Sequence, residues 1–532
     1  MKFKKGFTIA LTAVMASAGL AACGGSSGGG DSTTAADSSA TTTASAASAT
    51  TTAASSSSGS DKVIRWGYTW GYGSLDAHVD YNGWNTAAMG VTESLFTIGE
   101  DLSIQPCLAK EAKSDDGITW TITLDEKAAF SNGDQVTADD AIANLKRLGE
   151  KNERFDRFAK CTYTKVNDTE FTVVSPDAYV TMKNDMASPE AAIMDLDNSK
   201  DLDNAPICTG PFVVDKFTPN GDESVKKNEK YWRGDVTLDG AELLIMADSD
   251  SKLMALQNGE IDYFDDVSAS SKAVIESDPT FTLYNTPSTR LQFYLLNCNR
   301  LSEKVREAIN MTIDKQSISD FLEGVTSVAE TPYLPSTTYS KAKGVSLDTA
   351  KAQSLLEEDG YTKNSIGMYE KDGKPLTLTI KYYAAREFDK IAPLMQEQLK
   401  AIGVNAELSV EEDADAGYMA NGDYDIALYC LIADKTGDPA YFINSVFADG
   451  SSYNNGGFKS EECQKLIDEL NVEVDAAKRS DLANKIIQIT LDENAVGYLG
   501  FMNRIIAAKQ GVKNVSEKYP FDLYGLFADS TK

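Results

Sequence analysis

The sequence predicts an α/β protein built from more than one domain, and three observations carry this. A chain of 532 residues with 42% hydrophobic side chains buries a large core and exceeds the size at which one core stops growing. Between residues 376 and 410, two alternating apolar runs flank a helical one, the pattern of a helix laid on a sheet. Between 119 and 148 another period-two run passes into a helical face.

Taken in order, Lys2, Lys4 and Lys5 precede an apolar run from Phe7 to Leu20. A basic start, a short apolar run and small residues before a cut predict a secretory signal over 1–22. The run is too short for a spanning helix, which needs about 20 apolar residues. Leu20-Ala21-Ala22-Cys23 resembles a bacterial lipobox, which implies lipidation of Cys23 and anchorage to the cell membrane, facing the extracellular side or periplasm. Residues 24–60 are almost wholly Gly, Ser, Thr and Ala. They cannot bury enough apolar surface to offset ordering, so 23–60 is expected to be a flexible tether spanning roughly 30–37 Å as a random coil.

Val63–Tyr68 reads as the first strand. Trp120, Ile122 and Leu124 share one face of a second. Thr137 caps a helix carrying Ile142, Leu145 and Leu148, with Asp139 and Asp140 at its positive end. Thr209–Val214 is a turn into a strand, and Leu291–Leu296 a buried strand. Ser302 begins a helix with Val305, Ala308 and Ile309 inward, and Asp348 caps another that Gly360 stops. In the strand–helix–strand unit, Leu376, Leu378 and Ile380 alternate, a helix runs from about Pro393 to Ile402, and Val404, Ala406, Leu408 and Val410 alternate again. A strand at Tyr424–Tyr429 and helices at about 459–470 and 476–491 complete the reading.

Net charge is −30, which argues against nucleic acid and against binding anionic lipid by charge. The single histidine, His78, excludes two-histidine metal sets and leaves little acid–base chemistry, so no enzyme, resident metal or cofactor is expected. His78 itself reads as structural. Of the seven cysteines none forms a C-x-x-C; with Cys23 acylated, the other six are expected as buried thiols or one or two disulfides.

Several stretches, in order, resemble one family: Gln105–Lys110, Thr119–Leu124, Phe130–Asp134 leading to Thr137–Asp140, Thr209–Phe212, Asn228–Gly234, Val305–Ile309 with Ile313–Lys315, Ala350–Leu356 with Gly360-Tyr361, Gly403-Val404, Gly422–Asp425 and Asp438-Pro439. Over about 61–515 the chain is similar to the family 5 extracellular solute-binding proteins of ABC importers, the peptide and nickel binders. The resemblance implies a two-lobed periplasmic-binding-protein fold of class II (cluster C), closing on ligand between the lobes. Lobe 1 would span 61–290 with an extra subdomain at about 100–205, lobe 2 would span 291–495, and 496–532 would return to lobe 1. It also implies a monomer that delivers peptides to a membrane permease driven by ATPase subunits.

The same resemblance suggests site residues. Asp434, in Ala433–Pro439, matches an aspartate that pairs a peptide's α-ammonium, one residue farther from the proline than usual. Arg154, Arg290 and Arg386 are candidates to clamp a carboxylate, whose shape fits the guanidinium fork. Tyr81, Trp84 and Asn85 fall in the stretch after His78 that lines the cleft in relatives, and Trp70 is a nearby aromatic. For nickel binding, Arg154 matches one of two arginines. The other is replaced near Ser188-Pro189, Val446–Phe458 has no histidine, and the expected aromatic falls near Ala433. A nickel chelate, another small solute, or sensing without a transporter remain the alternatives.

Overall fold

The computed structural model describes residues 62–521 and 524–532; the signal, Cys23 and the tether lie outside the described residues. An eleven-stranded mixed sheet runs through the structure. Its axis is an antiparallel ribbon of two long strands, Phe281–Leu296 and Val496–Lys509. At one end Tyr263-Phe264 joins the ribbon and leads to the parallel pair Val63–Tyr68 and Gly240–Ile245. At the other end the ribbon meets Ile426–Ile432, followed by Thr377–Tyr382 and Asn405–Val410, which are parallel. This is the two-lobed α/β fold, with both crossovers supplied by one ribbon. A separate four-stranded antiparallel sheet lies between Ala109 and Val174, with the helix Ala138–Lys151 in the same segment.

The ribbon is irregular at its middle. Its register slips between Pro287 and Leu291, and again between Gln292 and Phe293. Pro287 cannot donate to a ladder and an unpaired insertion bends a strand, so Ser288, Thr289 and Arg290 sit where one lobe gives way to the other. The expected strand Leu291–Leu296 is thus the end of a 16-residue strand.

Local chemistry explains most helix starts. Thr137 and Asp140 form a reciprocal capping box, and Ser302 and Asp348 each accept from the backbone three residues on. Two expectations are corrected. The helix placed from Pro393 begins at Phe388. Its buried face of Phe388, Ile391, Met395 and Leu399, each worth about 1.5–3 kcal/mol when fully covered, outweighs the bond that Pro393 cannot donate. The strand placed at Tyr424 begins at Ile426, because Asn297 Nδ2 donates to the carbonyls of Gly422 and Tyr424 and ties them into a turn.

His78 is buried. Its Nε2 lies 3.0 Å from the Ala192 carbonyl and its Nδ1 2.9 Å from Arg147 Nη1. The carbonyl only accepts and the guanidinium only donates, so the ring is neutral with hydrogen on Nε2. Burial pushes its pKa down to about 4. The six described cysteines are free thiols, four of them buried. Among the described residues no helix is long and apolar enough to cross a membrane.

Candidate ligand-binding cleft

Two cavities flank the irregular middle of the ribbon. The larger, about 400 Å³, is walled by Tyr81, Trp84 and Arg154 on one side and by Asp434, Lys435 and Tyr441 on the other. The short helix Asn82–Ala88 places the aromatics. Gly83 lets it press on the Pro189–Ala191 turn, since a Cβ there would stand 2.7 Å from the Glu190 backbone. Tyr81 and Trp84, three apart, face the same way with rings edge-to-face at 5.3 Å. Asn85 is turned a further 100° and points into the core. It is fully buried, with Nδ2 3.1 and 3.0 Å from the two oxygens of Glu223. Asn85 is therefore removed from the expected cleft wall; burial pushes its partner Glu223 up to about 7.

Arg154 is held by Asn152, whose Oδ1 accepts from its Nε at 3.2 Å. Its guanidinium lies 3.7 Å over the Tyr81 ring and 3.1 Å from Glu190. Glu190 also accepts from Trp84 Nε1 at 3.0 Å. The charge of Arg154 is thus already balanced.

Asp434 is not. It is 1% exposed, accepting from the Tyr339 hydroxyl and from the Gly437 N–H at 2.7 Å, with no cation paired to it among the described residues. Burial pushes its pKa up to about 7. Asp185, in the same cavity, accepts from the Tyr179 hydroxyl at 2.6 Å, and burial pushes it up to about 6. Asp438, nearby, is occupied by Arg479 at 2.7 and 2.9 Å. Lys435 Nζ stands 4.0 Å over the Tyr441 ring. The cavity therefore has an anionic floor that favours a buried cation.

The second cavity, about 290 Å³, holds Arg290, Arg386 and Arg504 with Asp265, Asp266 and the half-exposed Trp70. Arg290 follows the slipped register. Arg386 and Glu387 are consecutive residues at φ 58° and 63°, a strained backbone of the kind that persists where surroundings over-determine it. Gln292 on the ribbon donates to the Arg386 carbonyl at 2.7 Å. Among the described residues neither the Arg290 nor the Arg386 guanidinium has a hydrogen-bond or ion-pair partner. Ile432 and Phe521 line both cavities. The structure thus brings Asp434, Arg154, Tyr81 and Trp84 together, and Arg290 and Arg386 next door. Among the described residues no cluster of three His, Cys, Asp or Glu could hold a metal ion.

Segments on opposite sides of the larger cavity touch. Asn184 Nδ2 donates to the Thr436 carbonyl at 2.7 Å, and a Cβ on Gly437 would come within 2.0 Å of the Leu102 carbonyl oxygen. The lobes are therefore closed on one another here.

Residues 103–454 match the family described as bacterial extracellular solute-binding proteins, family 5 Middle. The chain belongs to family 5. It is the substrate-binding protein of an ABC importer. The nickel-binding protein NikA of Staphylococcus aureus is 25% identical over 433 residues, 80% of this chain and 86% of that one. The glutathione-binding protein GsiB of Salmonella typhimurium is 28% identical over 363 residues, 64% and 68% of the two chains. Among solved structures, a nickel ABC transporter protein from Bacillus halodurans superposes with TM-score 0.81 and 26% identity, covering 88% of this chain and all of that one.

In this family 5 protein the residues that sequence reasoning missed are Asp185, Glu190, Lys435, Ile432 and Phe521. Asp185 and Glu190 lie on a four-residue helix and a 3-10 turn that show no periodicity. Phe521 sits in the irregular C-terminal stretch after the last strand. Lys435 alone had a signal, its place beside Asp434.

Proposed function

We propose that the protein captures short zwitterionic peptides between its lobes and delivers them to its membrane permease, working as a monomer held at the cell surface through Cys23, with no catalytic step. One observation carries the reading. A buried carboxylate with no ion-paired cation, Asp434, and two guanidinium groups with no ion-paired carboxylate among the described residues, Arg290 and Arg386, share one cleft and two wall residues. An α-ammonium against Asp434 and an α-carboxylate against the arginines would satisfy both poles with charge-assisted bonds, roughly twice as strong as neutral ones. A closed cleft that excludes water strengthens both. The likeness to a glutathione-binding protein supports an amphoteric ligand with free carboxylates.

A second reading is a metal chelate, favoured by the likeness to nickel-binding proteins. Because His78 is buried against Ala192 and Arg147, such a chelate would bring its own nitrogen donors, leaving the arginines to hold its carboxylates. A thermal-shift screen of di- to hexapeptides, nickel–histidine complexes and sugars separates the two. Ligand at a hundred times its Kd should stabilise the protein by about 2.7 kcal/mol. Stabilisation by peptides is expected; stabilisation by nickel complexes alone would overturn the peptide reading.

A further inference from the structure

We infer that Arg504 is a third anion-binding arm of the cleft, and that the cavity it completes with Arg290 and Arg386 selects peptides ending in Asp or Glu, which bring a side-chain carboxylate beside the α-carboxylate. The inference rests on the peptide reading above and adds to it the class of peptide and a residue that selects it.

Arg290, Arg386 and Arg504 line one cavity of about 290 Å³ together with two carboxylates, Asp265 and Asp266. Asp265 already has a cation, since the Nζ of the fully buried Lys252 lies 3.9 Å from its Oδ1. Asp266 accepts from the Thr69 hydroxyl at 2.7 Å. Among the described residues, three guanidinium groups therefore face one carboxylate that has no cation of its own, an excess of two positive charges. A single α-carboxylate removes one of them. The count of donors agrees with the count of charges. A carboxylate has two oxygens, which two guanidinium forks fill. Arg290 and Arg386 suffice for that, so the third fork has an acceptor only if the ligand carries a second carboxylate. Like charges in a cleft that excludes water repel strongly, and the second carboxylate relieves the repulsion that the first leaves.

Arg504 is placed for this role. It lies on the ribbon opposite Thr286 and is 9% exposed. Its Nη1 donates to the Ser516 carbonyl, which fixes the side chain without neutralising it. Its Nε is buried with no hydrogen-bond partner, and among the described residues no carboxylate pairs with the group. Glu517, next to that carbonyl, commits its two oxygens to the N–H groups of Asn514 and Val515 at 3.2 and 2.8 Å. A buried charged donor without an acceptor is costly, and this one borders a cavity that an acceptor can enter.

The test is isothermal calorimetry with free-terminus peptide pools that differ only in ending in Glu or Gln, on the wild-type protein, Arg504→Gln and Arg504→Lys, each checked for folding by circular dichroism. The wild type should bind the Glu-ended pool about tenfold or more tighter, the worth of one hydrogen-bonded charge pair. Moving the same Glu to the first residue should bring no such gain. Arg504→Gln should cut the ratio to about threefold or less, and Arg504→Lys, which keeps the charge and loses the fork, should fall between. If Arg504→Gln does not fold, Asp266→Asn replaces it. Asn tolerates the φ of 57° at this exposed position, and removing the opposing charge should widen the ratio. Equal wild-type affinity for the two endings, an equal gain from Glu at the first residue, a folded Arg504→Gln that weakens both pools alike, or an unchanged ratio in Asp266→Asn would each overturn the inference while leaving peptide capture intact. Binding of none of the pools would overturn peptide capture itself, and the selection with it.

Discussion

Asp434 yields the sharpest prediction, because its ionisation and its function pull in opposite directions. Without ligand, burial holds its pKa at about 7 against an ordinary value of 3.8, with the Tyr339 hydroxyl and the backbone N–H groups of Gly437 and Asp438 stabilising the anion. The other charged groups of the cavity are Asp185, Glu190, Arg154 and Lys435, with Asp438 close by. Arg154 is paired with Glu190 and Arg479 with Asp438, so neither cation neutralises Asp434. An arriving α-ammonium would, and its bond requires the carboxylate ionised. Above pH 7 that form is already present and affinity is full. Below pH 7 binding must expel a proton, so affinity falls about tenfold per pH unit, about 1.4 kcal/mol each, until the pKa of the complex is reached. From pH 7 to pH 5 the loss is about fiftyfold, because half of the carboxyl is already protonated at pH 7. The sign for folding is opposite. A raised carboxyl pKa stabilises the unliganded fold at low pH, and that stability is lost as pH rises from about 4 through 7, so thermal stabilisation by ligand should be larger at pH 8 than at pH 5. Calorimetry at pH 5, 6, 7 and 8, in two buffers of different ionisation enthalpy, gives both the affinity and the protons released. Asp434→Asn keeps an acceptor for Gly437 and should flatten the profile. If free-amine and N-acetylated peptides lose affinity equally on acidification, or Asp434→Asn retains the slope, the ammonium role is wrong.

Two further outcomes are expected. Gly437→Ala should keep the lobes apart. At φ 71° a Cβ is strained, and it would stand 2.0 Å from the Leu102 carbonyl oxygen, so small-angle scattering should show no compaction on adding ligand and affinity should drop at least about tenfold; normal closure would refute the tight approach. The one imidazole of the chain should titrate by NMR near pH 4, not 6.5. Because the unfolded histidine takes its proton first, the fold should lose stability as pH falls from about 6.5 to 4. A midpoint above 6 would contradict a ring wedged between Arg147 and Ala192.

The parts legible in the sequence were those coded by local pattern. Thr137, Ser302 and Asp348 announced their helices because a capping side chain bonds three residues ahead. The unit from Thr377 to Val410 was legible because alternating and helical periods are local too, and only Pro393 misled. The site was legible in pieces. Asp434 and the arginines stood out as residue types, and Tyr81 and Trp84 by their spacing. Asn85 misled because adjacent helix positions diverge by 100°, so a neighbour of a wall residue is usually a core residue. Nothing local marks Phe521, whose place depends on a carbonyl bond to a residue more than 200 positions earlier.

The position of the arginines ties ligand recognition to lobe closure. Arg290 belongs to the slipped stretch of the ribbon, and Arg386 is held to the ribbon through Gln292. Asp265, Asp266 and Trp70 face them from the lobe that begins with Val63. An anion between the two guanidinium groups would neutralise repulsion that is otherwise concentrated at the bend, while an ammonium at Asp434 would relieve the desolvated carboxylate opposite the contact between Asn184 and Thr436. Each pole therefore penalises the closed form when empty and favours it when filled. A ligand carrying only one of the two charges gains only one of the two terms, so it should bind and yet close the lobes less completely than a zwitterion, because closure is set by differential affinity for the closed state and not by binding as such.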